Sequence, residues 1–382
     1  MDNRLIACVS IVGLAWFVRN TFLGFETSDT SGHEMEEIFR QIAEEQGKTA
    51  VQERICGQHK GNNHEHAYEE EEGKTTTFTE DLAEGVCYEV LDSLDYNNYS
   101  KDFVRREIVL VSEDGHVDDN NFEANSMFGP GPPVMSAVLS HPIGATKYFK
   151  TEKWRLCPTL FSHGTYEFLM IENLFVWRPL ARKGSHHYKI LHLGINGGQS
   201  HMFIRAVYPN IRQTIVESDG TLLKLAKKWM KTVELNEDVI SDENNNFLQD
   251  SEDNQYDSVW VHGCSMNDEN VYECPSKKYL QASNLRKIKS VLNENGVVMF
   301  RYQSVLKMRK KHEPDEDDFS PSIITRTITE LETIFENCSL EDRLGDLELI
   351  IVCSDQEFPN DRIETIAQNR QSIFDKFKQA DV

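Results

Sequence analysis

The sequence has no basic surplus. Its 382 residues carry 40 Lys and Arg against 63 Asp and Glu, a formal charge of −23, and an acidic excess of that size repels a phosphate backbone. A general affinity for nucleic acid is excluded. The eight cysteines never form a CxxC pair, which removes zinc ribbons and thioredoxin-like motifs. His59, His64 and His66 lie in a solvated segment with no supporting cysteine, and no metal site is expected. No small-x-small cleavage site closes the N-terminal apolar run. A dinucleotide fingerprint GxGxxG is missing too, which weighs against a dinucleotide-dependent oxidoreductase.

What is present is enough apolar material for a real core: 39% hydrophobic residues, with 20 Phe, 12 Tyr and 5 Trp. The length allows one large or two modest domains. In residues 1–25 the run LIACVSIVGLAWFV, between Arg4 and Arg19, has the size of a signal-peptide h-region, and TFLGF extends it toward a signal anchor. The expectation is therefore a membrane-associated or secretory chain, with the cytoplasm as the alternative; positive charge on both flanks leaves orientation open. On the secretory route Cys264 and Cys274 are close enough to bridge one loop, and Asn98 and Asn337 become glycosylation acceptors. Reduced, buried thiols are the cytosolic counterpart. Seven cysteines remain outside the anchor, and the odd number argues for a free thiol.

Residues 26–80 are polar and acidic and read as a flexible linker. Residues 81–184 break into short strand-like pieces, GVCYEVLDSL, FVRREIVLVS and YEFLMIENLFVWRPL, punctuated by GPGPP, and read as a small β-rich unit. From 185 to 360 strands and helices alternate at a spacing that implies an α/β domain with a mainly parallel, doubly wound sheet. Residues 361–382 are a helical tail.

The α/β domain is organised around KILHLGINGG. An apolar run that stops at Gly194, Gly197 and Gly198 and passes into QSHMFIRAVYP reads as a buried strand, a tight turn and a helix start. Glycine there permits positive φ and close approach of a ligand to the backbone, and the helix N-terminus favours negative charge. The next strand, in IRQTIVESDG, ends at Glu217, where a carboxylate can accept hydrogen bonds from both hydroxyls of a ribose. Together they favour a nucleoside-containing cofactor. Without a ligand, the same features are a Gly-rich turn and a polar strand end.

The order KILHLGINGG, TIVESDG, ISDENNNFL, YDSVWVHG and LQASNLRKIKSVLNENGVVMF resembles the class I S-adenosylmethionine-dependent methyltransferases. It is similar more narrowly to their spermidine synthase-like branch, and there to the methyltransferase-like proteins that modify translation elongation factor 1-alpha. The resemblance covers about residues 185–302 and weakly extends to 355. It implies a Rossmann-like fold and S-adenosylmethionine as cofactor, with Gly194, Gly197 and Gly198 against its methionine part, Glu217 on the ribose and Asp242 on the adenine amino group; a solvated turn is the other reading of Asp242.

The chain departs from that pattern where the branch carries acids. His262 stands where a strand-end acid acts on the attacking amine, and as a neutral imidazole it is the candidate catalytic base; a structural histidine is the alternative. Asn196 replaces a second acid, so polyamine synthesis is not expected. Glu243 stands where the family has Gly. The resulting expectation is a divergent methyltransferase-like protein acting on a protein or amine substrate. Its alternative is a catalytically silent interaction protein of the same fold, tethered to a membrane. The partners expected are that substrate, a membrane through the N-terminal segment and a second copy of the chain, with no nucleic acid.

Overall fold

The computed structural model describes residues 49–57, 76–79, 86–94, 104–112, 134–140, 154–158, 166–177, 188–195, 198–230, 239–242, 246–266, 271–307, 321–341 and 348–357. The N-terminal apolar segment, His59, His64, His66, Asn98, Asn196, Gly197, Glu243 and the C-terminal tail lie outside them. Among the described residues no helix is long and apolar enough to cross a membrane.

Six strands form the first sheet: β1 (Thr49–Gly57), β2 (Thr76–Thr79), β3 (Val86–Leu94), β4 (Val104–Ser112), β5 (Met135–Ser140) and β6 (Arg155–Leu156), in the order β2-β1-β3-β4-β5-β6. Period-two alternation sorts its side chains. Val86, Tyr88, Val90, Ile108 and Leu110 face the second domain, whereas Cys56, Cys87, Leu91 and Val109 pack together on the other side, where Cys56 and Cys87 form a disulfide. The region read as linker therefore contains β1 and β2, hidden by the polar and acidic stretches on either side of them. Glu53, on β1, accepts from Lys228 Nζ at 2.9 Å and from the Trp229 indole N–H.

A second correction concerns YEFLMIENLFVW, which is helix α1 (Tyr166–Trp177) rather than a strand. Apolar residues on nearly all sides erase the periodicity that would separate the two; Tyr166, Met170, Ile171 and Leu174 are all buried against the α/β sheet. The α/β domain thus begins before residue 185.

That domain contains β7 (Lys189–Leu193), α2 (Gly198–Val207), β8 (Arg212–Glu217), α3 (Gly220–Leu225, continuing as a π turn through Ala226–Met230), β9 (Val239–Ser241), α4 (Phe247–Asp250) and β10 (Tyr256–Val261). Then follow β11 (Ser265–Met266), β12 (Val271–Cys274), α5 (Lys277–Leu280), α6 (Ala282–Val291), β13 (Leu292–Lys307), α7 (Pro321–Glu332), β14 (Asn337–Glu341) and β15 (Glu348–Ser354). Helices α5 and α6 are separate because Gln281 takes extended backbone between them.

Strands β9-β8-β7-β10-β13 are parallel neighbours in that order. Beyond them β15 runs antiparallel to β13, and β14 antiparallel to β15. The order reverses between β7 and β10, which is the switch point where doubly wound sheets open a crevice at the carboxyl ends of their strands. The expected α/β, mainly parallel, doubly wound architecture is what forms. Alternate residues serve opposite faces: Leu191, Val259, Phe300 and Ile351 pack under α6 and α7, and Ile190, Trp260, Met299 and Ile350 under α1 and α2.

Among the described residues three disulfides join Cys56–Cys87, Cys264–Cys274 and Cys338–Cys353, and Cys157 is buried. The bridge between Cys264 and Cys274 is the one that their closeness in sequence allows.

Candidate functional site

The crevice at the switch point starts with Gly194, whose φ of +99° is costly for any residue with a side chain. A Cβ there would lie 2.5 Å from the Gly263 backbone, because the turn after β7 runs against the turn after β10. Both His262 N–H and Gly263 N–H donate to Leu193 C=O, at 2.9 and 2.7 Å. At the helix start, a Cβ on Gly198 would collide with the Met135 side chain of β5. Close packing of backbone against backbone thus requires the glycine at 194, while at 198 the flexible Met135 side chain is what a Cβ would displace.

Glu217 ends β8 and is buried. Its Oε2 accepts Ile195 N–H at 2.7 Å and its Oε1 accepts Asp219 N–H at 2.8 Å. The carboxylate thereby ties the turn after β7 to the turn after β8. Burial raises its pKa, opposed by those two N–H groups; Asp219 adds to the rise and Lys278 resists it. Asp219 caps α3 through Thr221 N–H and Leu222 N–H, both 2.9 Å, and accepts the Tyr88 hydroxyl from the first sheet at 2.8 Å. Asp242 is a cap as well. Its two oxygens accept Asn246 N–H at 2.9 Å and Phe247 N–H at 2.8 Å, at the start of α4.

Sequence reasoning missed what covers this acidic corner. Lys278 of α5 donates to Ser218 Oγ at 2.9 Å and carries its ammonium into the field of Glu217, Asp242 and Asp219. Burial still lowers its pKa, with those carboxylates opposing. Tyr279, also buried, lies so near Gly263 that a Cβ there would meet its ring at 2.6 Å.

His262, the expected base, does not reach this crevice. It follows β10 on the face beneath α1 and α2 and is fully buried, with its ring near Tyr166, Trp260, His192 and His201. Burial pushes its pKa well below the ordinary value, with His201 and Arg301 adding to the fall. With no exposure and its ring on the face beneath α1 and α2, His262 stands here as a core side chain.

No family model matches the chain, and no curated protein matches its sequence. Among solved structures it is similar to human methyltransferase-like protein 13 in complex with SAH, at 18% identity, covering 56% of this chain and 91% of that one with a TM-score of 0.44. It is similar also to a probable spermidine synthase from Corynebacterium glutamicum, at 15% identity over 73% of this chain and 83% of that one, TM-score 0.46. A SAM-dependent methyltransferase from Aquifex aeolicus matches at 11% identity over 49% and 88%, TM-score 0.32. The strand order with its antiparallel β15 decides the architecture. The domain has a Rossmann-like, doubly wound α/β fold closed by an antiparallel strand.

Within this fold, the second feature that sequence reasoning missed is the set around His262. His192 stands on β7 beside Trp260, the two being paired in register, and period two brings His262 to the same face. His201 projects from α2. Burial lowers all three pKa values, His201 to about 3. The sequence signal was the His192-to-His201 spacing across a strand, a turn and a helix start, but the third member depends on strand pairing.

Proposed function

We propose that the chain is a divergent S-adenosylmethionine-binding protein whose nucleoside site is the crevice at the ends of β7, β8 and β10, with a protein or amine as methyl acceptor. The observation that carries this is Glu217, fixed at the end of β8 by the N–H groups of Ile195 and Asp219. Each carboxylate oxygen uses one lone-pair direction on the backbone and keeps another, the two acceptor positions that a vicinal diol needs. This acceptor capacity fits the two hydroxyls of a ribose. Ser218 and Lys278 border the same corner, and Asp242 stands one strand further on, its backbone N–H donating to Glu217 C=O at 2.9 Å.

When bound, the cofactor supplies an electrophilic methyl group on a sulfonium. The protein's part is to hold a nucleophile in line and to exclude water. Tyr279 over Gly263 is placed for exclusion, and α5 must shift to admit a nucleoside. The test is calorimetric titration of the whole chain with S-adenosylmethionine and S-adenosylhomocysteine beside Glu217→Gln. Micromolar binding, about −8 kcal/mol, that weakens at least tenfold in a variant with an unchanged melting temperature supports the proposal. Equal binding by both proteins refutes the role of Glu217.

A second reading has its own support: the fold serves as a catalytically silent interaction protein on the secretory route. The burial of His262, the Lys278 and Tyr279 cover, and three disulfides in one chain favour it. It requires that no heat be detected at millimolar ligand. Thiol labelling of protein from cells, with and without reductant, tests the compartment. Free reactivity of Cys264 and Cys338 before reduction would place the chain among reduced thiols instead.

A further inference from the structure

His192, His201 and His262 are 0%, 2% and 0% exposed, and they come from β7, α2 and the residue after β10. One ring nitrogen from each lies within 4.8 Å of the other two. His192 Nδ1 is 3.2 Å from His262 Nε2, which is already the edge of a tetrahedral nitrogen set, about 3.3 Å at zinc–nitrogen bonds of about 2.0–2.1 Å.

The tautomer of His192 follows from its neighbour. Gln213 Nε2 donates to the His201 carbonyl at 3.2 Å, so its Oε1 faces His192 Nε2 at 3.1 Å. An amide oxygen only accepts, hence His192 Nε2 carries the hydrogen and Nδ1 presents a lone pair to the other two rings. A glutamine oxygen orienting a ligating imidazole through its far N–H is a common outer-shell arrangement.

The remaining nitrogens are not satisfied by protein. Neither ring nitrogen of His201 has a hydrogen-bond partner among the described residues, and neither does His262 Nδ1. An imidazole buried with both nitrogens unmatched carries a desolvation cost. Three imidazole nitrogens this close to one another, with their hydrogens on the far nitrogens, suit a borderline divalent metal.

We propose that His192 Nδ1, His262 Nε2 and one nitrogen of His201 bind a structural divalent transition metal, zinc(II) first, inside the sheet–helix core of this domain. A small rotation of the His201 ring closes the set, and a water or hydroxide completes four-coordination. Arg301, buried on the same face with its guanidinium 4.1 Å from the Tyr166 ring centre, opposes a dication and favours hydroxide as the fourth ligand. The three rings are buried among the described residues, so the metal's role is to pin β7, β10 and α2 together. The site stands independently of cofactor binding.

The experiment uses the full chain, stripped with a chelator under mild denaturant, refolded, and titrated with zinc(II) or cobalt(II). One equivalent per chain is expected, with a higher melting temperature on loading. His201→Phe should weaken binding at least tenfold, whereas a triple His59→Ala, His64→Ala, His66→Ala variant should bind as before. If His201→Phe does not fold, X-ray absorption of the zinc-loaded natural chain replaces it, and three imidazole nitrogens at about 2.0–2.1 Å are expected. A folded natural chain that takes up no metal overturns the proposal. So does binding that vanishes with the three N-terminal histidines, or a metal shell of sulfur or carboxylate.

Discussion

Two clusters meet at the carboxyl ends of β7 and β10, and they differ in what fills them. The crevice holds Glu217, Asp219 and Asp242, each carboxylate satisfied by backbone N–H groups, with the Lys278 ammonium among them. The core beneath α2 holds three neutral imidazoles whose nitrogens are only partly satisfied. The two are one residue apart in the chain: Leu193 and Gly194 lead into the first, His192 belongs to the second. Strand alternation sends neighbours to opposite environments, so a residue's number says little about which chemistry it joins. The familiar ligand-binding position of the fold is closed by protein, and unsatisfied chemistry lies in the core.

The comparison can be broken most forcefully at Gly194. Its positive φ and the Gly263 backbone 2.5 Å from a would-be Cβ make Gly194→Ala cost about 3–5 kcal/mol, the sum of backbone strain and overpacking. The urea midpoint should fall accordingly while the histidine core is otherwise untouched; an unchanged midpoint would mean the two turns separate freely.

Acid sharpens the contrast next. In chelator-stripped protein His201 has a folded pKa of about 3 against 6.5 when unfolded, so the unfolded chain binds the proton first. Its contribution to stability is complete above about pH 6.5 and is lost as pH falls toward about 3. At pH 5 the loss from this ring is about 2 kcal/mol. Chemical denaturation at pH 7.5 and 5.0 reads it, and His201→Phe should flatten the slope; an equally steep slope in the variant would assign the acid sensitivity elsewhere.

Tyr88→Phe tests the crevice from its other wall. Removing the hydroxyl that donates to Asp219 should cost about 1.5 kcal/mol, a hydrogen bond to a charged group. The smallest effect belongs to Lys228→Ala. Its pair with Glu53 is exposed on the lysine side, where such pairs contribute roughly 0.2–1 kcal/mol, and the loss should shrink further in high salt.

How much of this was legible in the sequence depends on how local the signal was. The turn at Gly194 and the placement of Glu217 follow from a strand, its end and a helix start, all within one stretch of chain, and the alternation from 185 onward gave the parallel sheet. The helix of α1 was lost because Tyr166, Met170, Ile171 and Leu174 leave no polar stripe to read. The direction of His262 was hidden for a different reason: the pairing of Trp260 with His192, fixed only when the sheet forms, turns it inward. Lys278 was hidden for the same reason: α5 breaks from α6 at Gln281 and points back over Ser218.

Met135 of β5 rests on Gly198 of α2, within a shared apolar layer that joins Tyr88, Ile108, Ile195, Met202 and Leu222. A lineage that lost the antiparallel sheet would leave Ile195 and Met202 facing water, and one that gained bulk at the helix start would push the sheet away. Recombination cannot swap either half for a foreign module without rewriting the other. The two sheets share one apolar layer, so a change of bulk at position 135 or at position 198 is felt on both sides of it.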